Sequence, residues 1–258
     1  MEIFWLEQTG ADVPPGNNWL SANEAAFFDS LRFPQRRSSW RLGRWTAKRA
    51  LAARWNLPPS PESLAKIEVR PAPSGAPEVF FENASAHAAI SLSHRNDRAL
   101  CFVGPSGADL GCDLELIEPR SDAFVSDYFI SEEREMVGQR SAEDRPAILA
   151  LLWSAKESAL KALRVGLRLD TRSMIVGPLD ASAGDDGWCA LRVRHTDGQV
   201  FDGWWRNAGG MVRTVVTAPP PMAPIAIKTA AYAVNAASPT TPSGADPPMH
   251  SQPGWGRL

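Results

Sequence analysis

Cysteine is scarce and follows no pairing pattern: Cys101, Cys112 and Cys189 are an odd number at scattered spacings, with no C-x-x-C pair. The four histidines, His87, His94, His195 and His250, add no partner at zinc-site spacing. Neither a disulfide scaffold nor a structural zinc site is therefore expected, and the thiols read as small core hydrophobes. Long apolar runs are also missing. The stretch 147–153 is far shorter than the ~20 residues a membrane helix needs. Nor does one charge dominate: 27 Lys and Arg against 29 Asp and Glu leave a net charge of -2, with no global basic field to draw nucleic acid. The opening Met1-Glu2-Ile3-Phe4-Trp5-Leu6-Glu7 lacks the basic-then-apolar order of a signal peptide. A cytoplasmic protein is the expectation.

What is present is ordinary globular composition, 44% hydrophobic and 22% charged over 258 residues, enough for one large domain or two small ones. Ser21-Ala22-Asn23-Glu24 has capping-box spacing ahead of Ala25, Ala26, Phe27 and Phe28, which predicts a helix start. A second helix is predicted over 39–55, ending before Pro58-Pro59. Between Phe28 and Trp55 eight basic residues face one acid, a local sum of +7. Strands are predicted over 67–70, 88–93, 99–103 and 109–115, with a turn at Asn96-Asp97. Ser131 is expected to cap a short helix, and a long one is predicted over 144–164, with Pro146 tolerated in its first turn. Runs at 188–194, 200–205 and 211–217 read as strands. Nine of the 22 prolines fall in the last 41 residues, which read as a disordered Pro/Ala-rich tail. Helix–strands followed by helix–strands gives an α/β (α+β) fold of two halves, residues 1–107 and 108–217, with 218–258 as the tail.

Three short motifs carry the chemistry. In Leu110-Gly111-Cys112-Asp113-Leu114-Glu115 the two carboxylates lie two apart on a predicted strand, so both leave one face. Carboxylates placed together repel unless a cation joins them, and hard oxygen ligands suit Mg²⁺; a solvated strand end is the bland alternative. Gly111 allows close backbone approach. Trp153 through Lys161 places Glu157 and Lys161 four apart on a helix. That reads either as a surface ion pair or as a third metal carboxylate flanked by phosphate-binding lysines. Ile90-Ser91-Leu92-Ser93-His94 ends a strand in a hydroxyl and an imidazole, which donate to an anion at a phosphate site.

In this order the three motifs resemble the Sfp-type 4′-phosphopantetheinyl transferases. Their signature runs from a Ser-His strand end, through a (V/I)-G-(V/I)-D-(I/V/L)-E strand, to (W/F)-(S/C/T)-x-K-E-(S/A)-x-x-K on a helix. Tyr128-Phe129-Ile130-Ser131-Glu132-Glu133-Arg134 is similar to the family's F-x-x-x-E-R stretch, Gly166-Leu167 fits as well, and the Arg/Trp helix resembles its N-terminal basic helix. The resemblance spans about residues 36 to 216. It implies two α/β halves related by pseudo-twofold symmetry, with coenzyme A in the cleft between them. The implied activity is of the holo-[acyl-carrier-protein] synthase type: Mg²⁺-dependent transfer of phosphopantetheine from coenzyme A to a serine of an apo acyl or peptidyl carrier protein, releasing 3′,5′-ADP. Such carriers serve polyketide, nonribosomal peptide, siderophore or fatty acid synthesis. Asp113, Glu115 and Glu157 are the implied metal ligands, and Glu157 the implied base, directly or through water. Arg44, Lys48, Ser93, His94, Lys156 and Lys161 are the implied coenzyme A contacts, with Lys161 favoured over Lys156. A chain holding both halves is expected to be a monomer.

The departures are specific. The family's G-K-P motif reads Gly75-Ala76-Pro77, so a lysine is missing, and Arg70 is a candidate replacement. Cys112 stands for a β-branched residue, and Arg164 for a frequent glycine. Arg164, Leu167, Arg168 and Arg172 are expected to meet an acidic carrier. Two other classes compete. A Mg-dependent phosphodiesterase or nuclease of the D…(D/E)-x-K type lacks its lysine, because Ile117 follows Glu115 two residues on. A basic-aromatic nucleic-acid-binding module would use Trp40, Trp45 and Trp55, but it leaves the acidic triad unexplained.

Overall fold

The computed structural model describes residues 1–165, 169–179, 184 and 186–232. Gly166, Leu167 and Arg168 lie outside the described residues. The chain begins with a strand that sequence reading missed, β1 (Phe4–Thr9), then α1 (Ala22–Ser30) and α2 (Pro34–Arg54). Ser21 caps α1 as expected, its hydroxyl accepting from Glu24 N while Glu24 accepts from Ser21 N. The basic helix begins five residues earlier than predicted. Pro34 sits in its first turn, where a missing N–H costs nothing. Next come α3 (Pro61–Ala65), β2 (Ile67–Pro71), β3 (Pro77–Phe81), β4 (Ala84–Ser85), β5 (Ala88–Arg95) and β6 (Arg98–Pro105). The β5–β6 hairpin turns at Asn96 and Asp97 as predicted, with Asn96 at φ 53°.

The second part opens with β7 (Asp109–Leu116), followed by α4 (Asp122–Tyr128), α5 (Ser131–Gly138) and α6 (Arg145–Ala162). Ser131 begins α5 rather than capping it: the N-cap is Ile130, whose N–H donates to Glu133 Oε2 at 3.2 Å. Four antiparallel strands follow or flank it: β8 (Met174–Val176), β9 (Cys189–His195), β10 (Val200–Ala208) and β11 (Met211–Ala218). The described part of the expected tail is not loose. Residues 225–226 form β12 (Ile225–Ala226), parallel to β1, and Tyr232 packs edge-on against Trp45 at 4.9 Å. The proline count concealed this because two paired residues and one ring are enough to seat the segment.

The result is a mixed α/β fold with three sheets. One has the order β12-β1-β6-β5, one β7-β11-β10-β9-β8, and a small one β2-β3-β4. Each large sheet carries one long helix, α2 on the first and α6 on the second. Trp45, Leu51, Leu64 and Val103 centre one core, and Leu152, Ala159, Leu160, Phe201 and Val216 another. A third apolar cluster joins Ile3, Ala89 and Phe102 from the first sheet to Leu110, Cys112 and Val215 from the second. All three cysteines are buried thiols, and burial pushes the Cys112 thiol up to about 11.

Polar rungs reinforce that joint. Ser91 Oγ accepts from Cys112 N at 2.9 Å, and Ser93 Oγ donates to Asp113 Oδ1 at 2.9 Å, so β5 and β7 meet through serine side chains. At the other end Arg213 of β11 grips Glu7 of β1 with two N–H donors, one at 2.8 Å, and Arg98 adds a third at 2.9 Å. Burial opposes ionisation of Glu7, but the two guanidinium groups prevail and hold its carboxyl below the usual range. The stability Glu7 provides is therefore complete above the ordinary glutamate range and fades as pH falls through its depressed value. Glu7→Gln is expected to unfold more easily than wild type in urea at neutral pH, with the gap closing toward pH 3. A pH-independent gap would mean that the ion pair is not its source.

Candidate active site

Gly111 sets the geometry. A Cβ at this position would lie 1.8 Å from the Ser158 carbonyl and 2.5 Å from Ala162 N, so α6 rests directly on the β7 backbone. Ser154 and Ser158 of α6 clasp Thr214 Oγ1 of the next strand at 2.8 and 2.7 Å, fixing the helix rotation. Glu157 and Lys161 are thereby brought to the face from which Asp113 and Glu115 project.

Lys161 does not pair along its own helix with Glu157. It reaches across to Asp113 Oδ1 at 2.8 Å and the Cys112 carbonyl at 3.0 Å. Burial opposes its charge, but Asp113, Cys112 and Glu157 outweigh this and raise its pKa. Asp113 Oδ1 is thus filled by Ser93 and Lys161, while Asp113 Oδ2 is buried with no hydrogen-bond partner. Glu115 is held by Arg120 at 3.1 Å, with Arg95 at 3.7 Å. Burial and the charge of Asp113 raise the pKa of Glu115. Burial and the same charge raise Glu157 as well, with Glu115 contributing. The three predicted carboxylates therefore share one electrostatic site.

Among the described residues no three His, Cys, Asp or Glu groups stand in metal-holding geometry. Lys161 and Arg120 instead take up part of the carboxylate charge. The donor set nevertheless fits a hard divalent cation: all oxygen, with Asp113 Oδ2 orphaned and two carboxylates whose pKa values are raised by burial and by the charge of Asp113. His94 lies exposed at the end of β5. The surrounding protein and the charge of Lys161 lower its pKa, against the pull of Asp113.

Beside this cluster a cavity of about 620 Å³ opens between β3, β5 and the end of α6. Ser74, Gly75, Ala76, Ser106, Lys161 and Arg164 are among the residues that line it. Lys161 belongs to both the carboxylate cluster and the cavity.

Two predicted coenzyme A contacts are corrected. Lys48 is fully buried, paired with Glu24 and donating to the Trp19 carbonyl at 3.0 Å. Lys156 is fully buried, paired with Glu133 at 2.8 Å and donating to the Thr171 carbonyl at 3.1 Å. The two anchors match closely. Glu24 and Glu133 each accept the N-cap N–H of their own helix, and each accepts a strand N–H, Val69 or Val176, at 3.1 Å. Each lysine lies over an aromatic ring, Trp19 or Phe129. Arg44 stacks over Trp40, and its buried Nε pairs with Glu24 at 3.8 Å without making a hydrogen bond. Arg70 is held by Glu68 and Asn83, so it does not replace the missing lysine. Trp45 is core, and Arg37 and Arg41 donate to backbone carbonyls, so much of the +7 stretch serves the fold. Sequence reasoning missed Arg120 and Arg95 as partners of Glu115, and nothing local signals them.

With this geometry in place, comparison supplies the class. Residues 109–200, which contain β7, α6 and all three carboxylates, match the model of the 4′-phosphopantetheinyl transferase superfamily. The matched stretch is similar to that superfamily, the mixed α/β architecture is consistent with its fold, and the match supports a transferase acting on phosphopantetheine in general. No curated protein matches the chain. Among the described residues no helix is long and apolar enough to cross a membrane.

Two outcomes follow from this geometry. Gly111→Ala should lower stability by about 1–3 kcal/mol, as overpacking does, and slow turnover by displacing α6; unchanged melting and rate would refute the close-approach argument. Lys48→Ala and Lys156→Ala should each cost about 3–5 kcal/mol, because a buried glutamate is left unpaired. Denaturant titration measures this, and a normal stability with a selectively raised KM for coenzyme A would restore the phosphate-contact reading.

Proposed function

We propose that the protein is an Sfp-type 4′-phosphopantetheinyl transferase, moving the phosphopantetheine arm of coenzyme A to a serine of an apo acyl or peptidyl carrier protein. The observation that carries this reading is the double membership of Lys161. One ammonium group lines the cavity and also bonds Asp113 within the carboxylate cluster. A substrate bearing phosphates in the cavity would place its charge beside the acidic site.

In the proposed reaction the carrier serine oxygen bonds to the phosphorus that carries the pantetheine arm. The bond from that phosphorus to the ADP side breaks, and 3′,5′-ADP leaves with the electron pair. Glu157 takes the serine proton, directly or through a water; burial and the neighbouring Asp113 and Glu115 raise its pKa, which makes its carboxylate a stronger proton acceptor. Lys161 offsets phosphate charge from the cavity side. Ser93 orients Asp113 through its hydroxyl, and His94, exposed at the end of β5, is a candidate contact for a substrate phosphate. Arg44, whose Nε makes no hydrogen bond and lies 3.8 Å from Glu24, is the remaining candidate contact on the basic helix. Asp113, Glu115 and Glu157 are the residues that would hold Mg²⁺, which when bound neutralises pyrophosphate charge. Arg172, tied to Asp170 at 2.6 Å on the exposed surface, remains a candidate for meeting an acidic carrier, and a monomer is the proposed state.

Incubation with coenzyme A, Mg²⁺ and a panel of apo-carriers should give a phosphopantetheine adduct by intact-mass spectrometry, abolished by EDTA. Asp113→Ala should abolish transfer with the fold retained. Absence of adduct on every carrier, or near-normal rates in both Asp113→Ala and Glu157→Ala, would sink the assignment.

A further inference from the structure

Arg164 occupies a backbone position that favours glycine. It follows α6 with φ 59°, its N–H donating to the Lys161 carbonyl at 3.0 Å, while Val165 N reaches back to the Leu160 carbonyl at 3.3 Å. This is the left-handed residue that ends many helices, where a side chain is strained and glycine is usual. Of the other four non-glycine residues at positive φ, three are asparagines, which tolerate the conformation, and Glu82 precedes one of them in a hairpin turn. A long cation held there needs a compensating use.

The cavity offers one. Arg164 and Lys161 are the two cations on its lining among the described residues, and the Lys161 ammonium is already engaged by Asp113 and the Cys112 carbonyl. No hydrogen bond or ion pair of the Arg164 guanidinium occurs among the described residues. The Gly75-Ala76-Pro77 part of the lining supplies no cation, Glu78 next to it adds a carboxylate, and Arg70 is held by Glu68. A substrate with several phosphates would meet a cavity short of positive charge without Arg164.

We infer that Arg164 binds a phosphate group of coenzyme A in the cavity that Gly75-Ala76-Pro77 also lines, supplying the charge that no lysine provides there. This rests on the phosphopantetheinyl transfer reading above and assigns Arg164 to the nucleotide substrate rather than to the carrier surface. Its planar fork can hold two phosphate oxygens at once, and the exposed position makes the contact sensitive to salt.

Glycine substitution separates this role from a structural one, because it relieves the backbone while deleting the cation. By calorimetry on the full chain, Arg164→Gly should bind coenzyme A about 10-fold or more weakly, the loss expected for a charge-assisted contact. Its melting temperature should be equal or higher, its carrier KM unchanged, and Arg164→Lys should recover part of the affinity. Titration with 3′-dephospho-coenzyme A locates the contact. A penalty that persists places it on the pyrophosphate, and one that vanishes places it on the 3′-phosphate. Wild-type affinity for coenzyme A in Arg164→Gly overturns the inference, whether or not the carrier KM rises. If the wild-type protein itself neither binds coenzyme A nor modifies any carrier, the reading of the whole site falls instead.

Discussion

The contact on which the site depends is the approach of α6 to the β7 backbone over Gly111. A hydrogen in place of a methyl group lets the helix sit where a Cβ would lie 1.8 Å from a carbonyl oxygen. Every chemical feature follows from that proximity. Glu157 comes within the field of Asp113 and Glu115, and Lys161 can cross from helix to strand rather than pair along its own face. With the helix held further off, Lys161 would fall back on Glu157 four residues away, a common surface pair with little chemical consequence.

A second constraint holds the two large sheets together. β5 and β7 are sheet edges, and edges left bare expose unpaired backbone groups. Ser91 satisfies the Cys112 N–H of that edge with its hydroxyl, and Ser93 orients the Asp113 carboxylate. Structural and chemical roles therefore coincide at one junction, with the cavity opening alongside it.

The two long helices, α2 and α6, also carry the same buried anchor, a lysine paired to a glutamate that caps the preceding helix and receives a strand N–H. Buried ion pairs add little net stability over apolar packing, but losing one partner is costly. These anchors fix where each helix meets its sheet. The resemblance extends to the anchors and the aromatic ring over each lysine, while the strand orders of the two sheets differ.

The sequence by itself determined several of the elements and the acidic set. Capping at Ser21, the Asn96-Asp97 turn, the proline in the first turn of α6 and the Asp113-x-Glu115 alternation are local signals, because period and turn chemistry act over a few residues. It also marked Gly111 as a place of close approach. Only the tertiary structure decided which cations were available. Lys48, Lys156 and Lys161 are alike in sequence, yet the first two are sealed under helices against Glu24 and Glu133, while the third reaches a cavity. Lysine has a long, flexible stem and will satisfy whichever carboxylate the packing brings near. Its partner is set by residues tens of positions away, and no local pattern encodes that distance. The seating of Ile225, Ala226 and Tyr232 was invisible for the same reason: their partners, β1 and Trp45, lie near the opposite end of the chain.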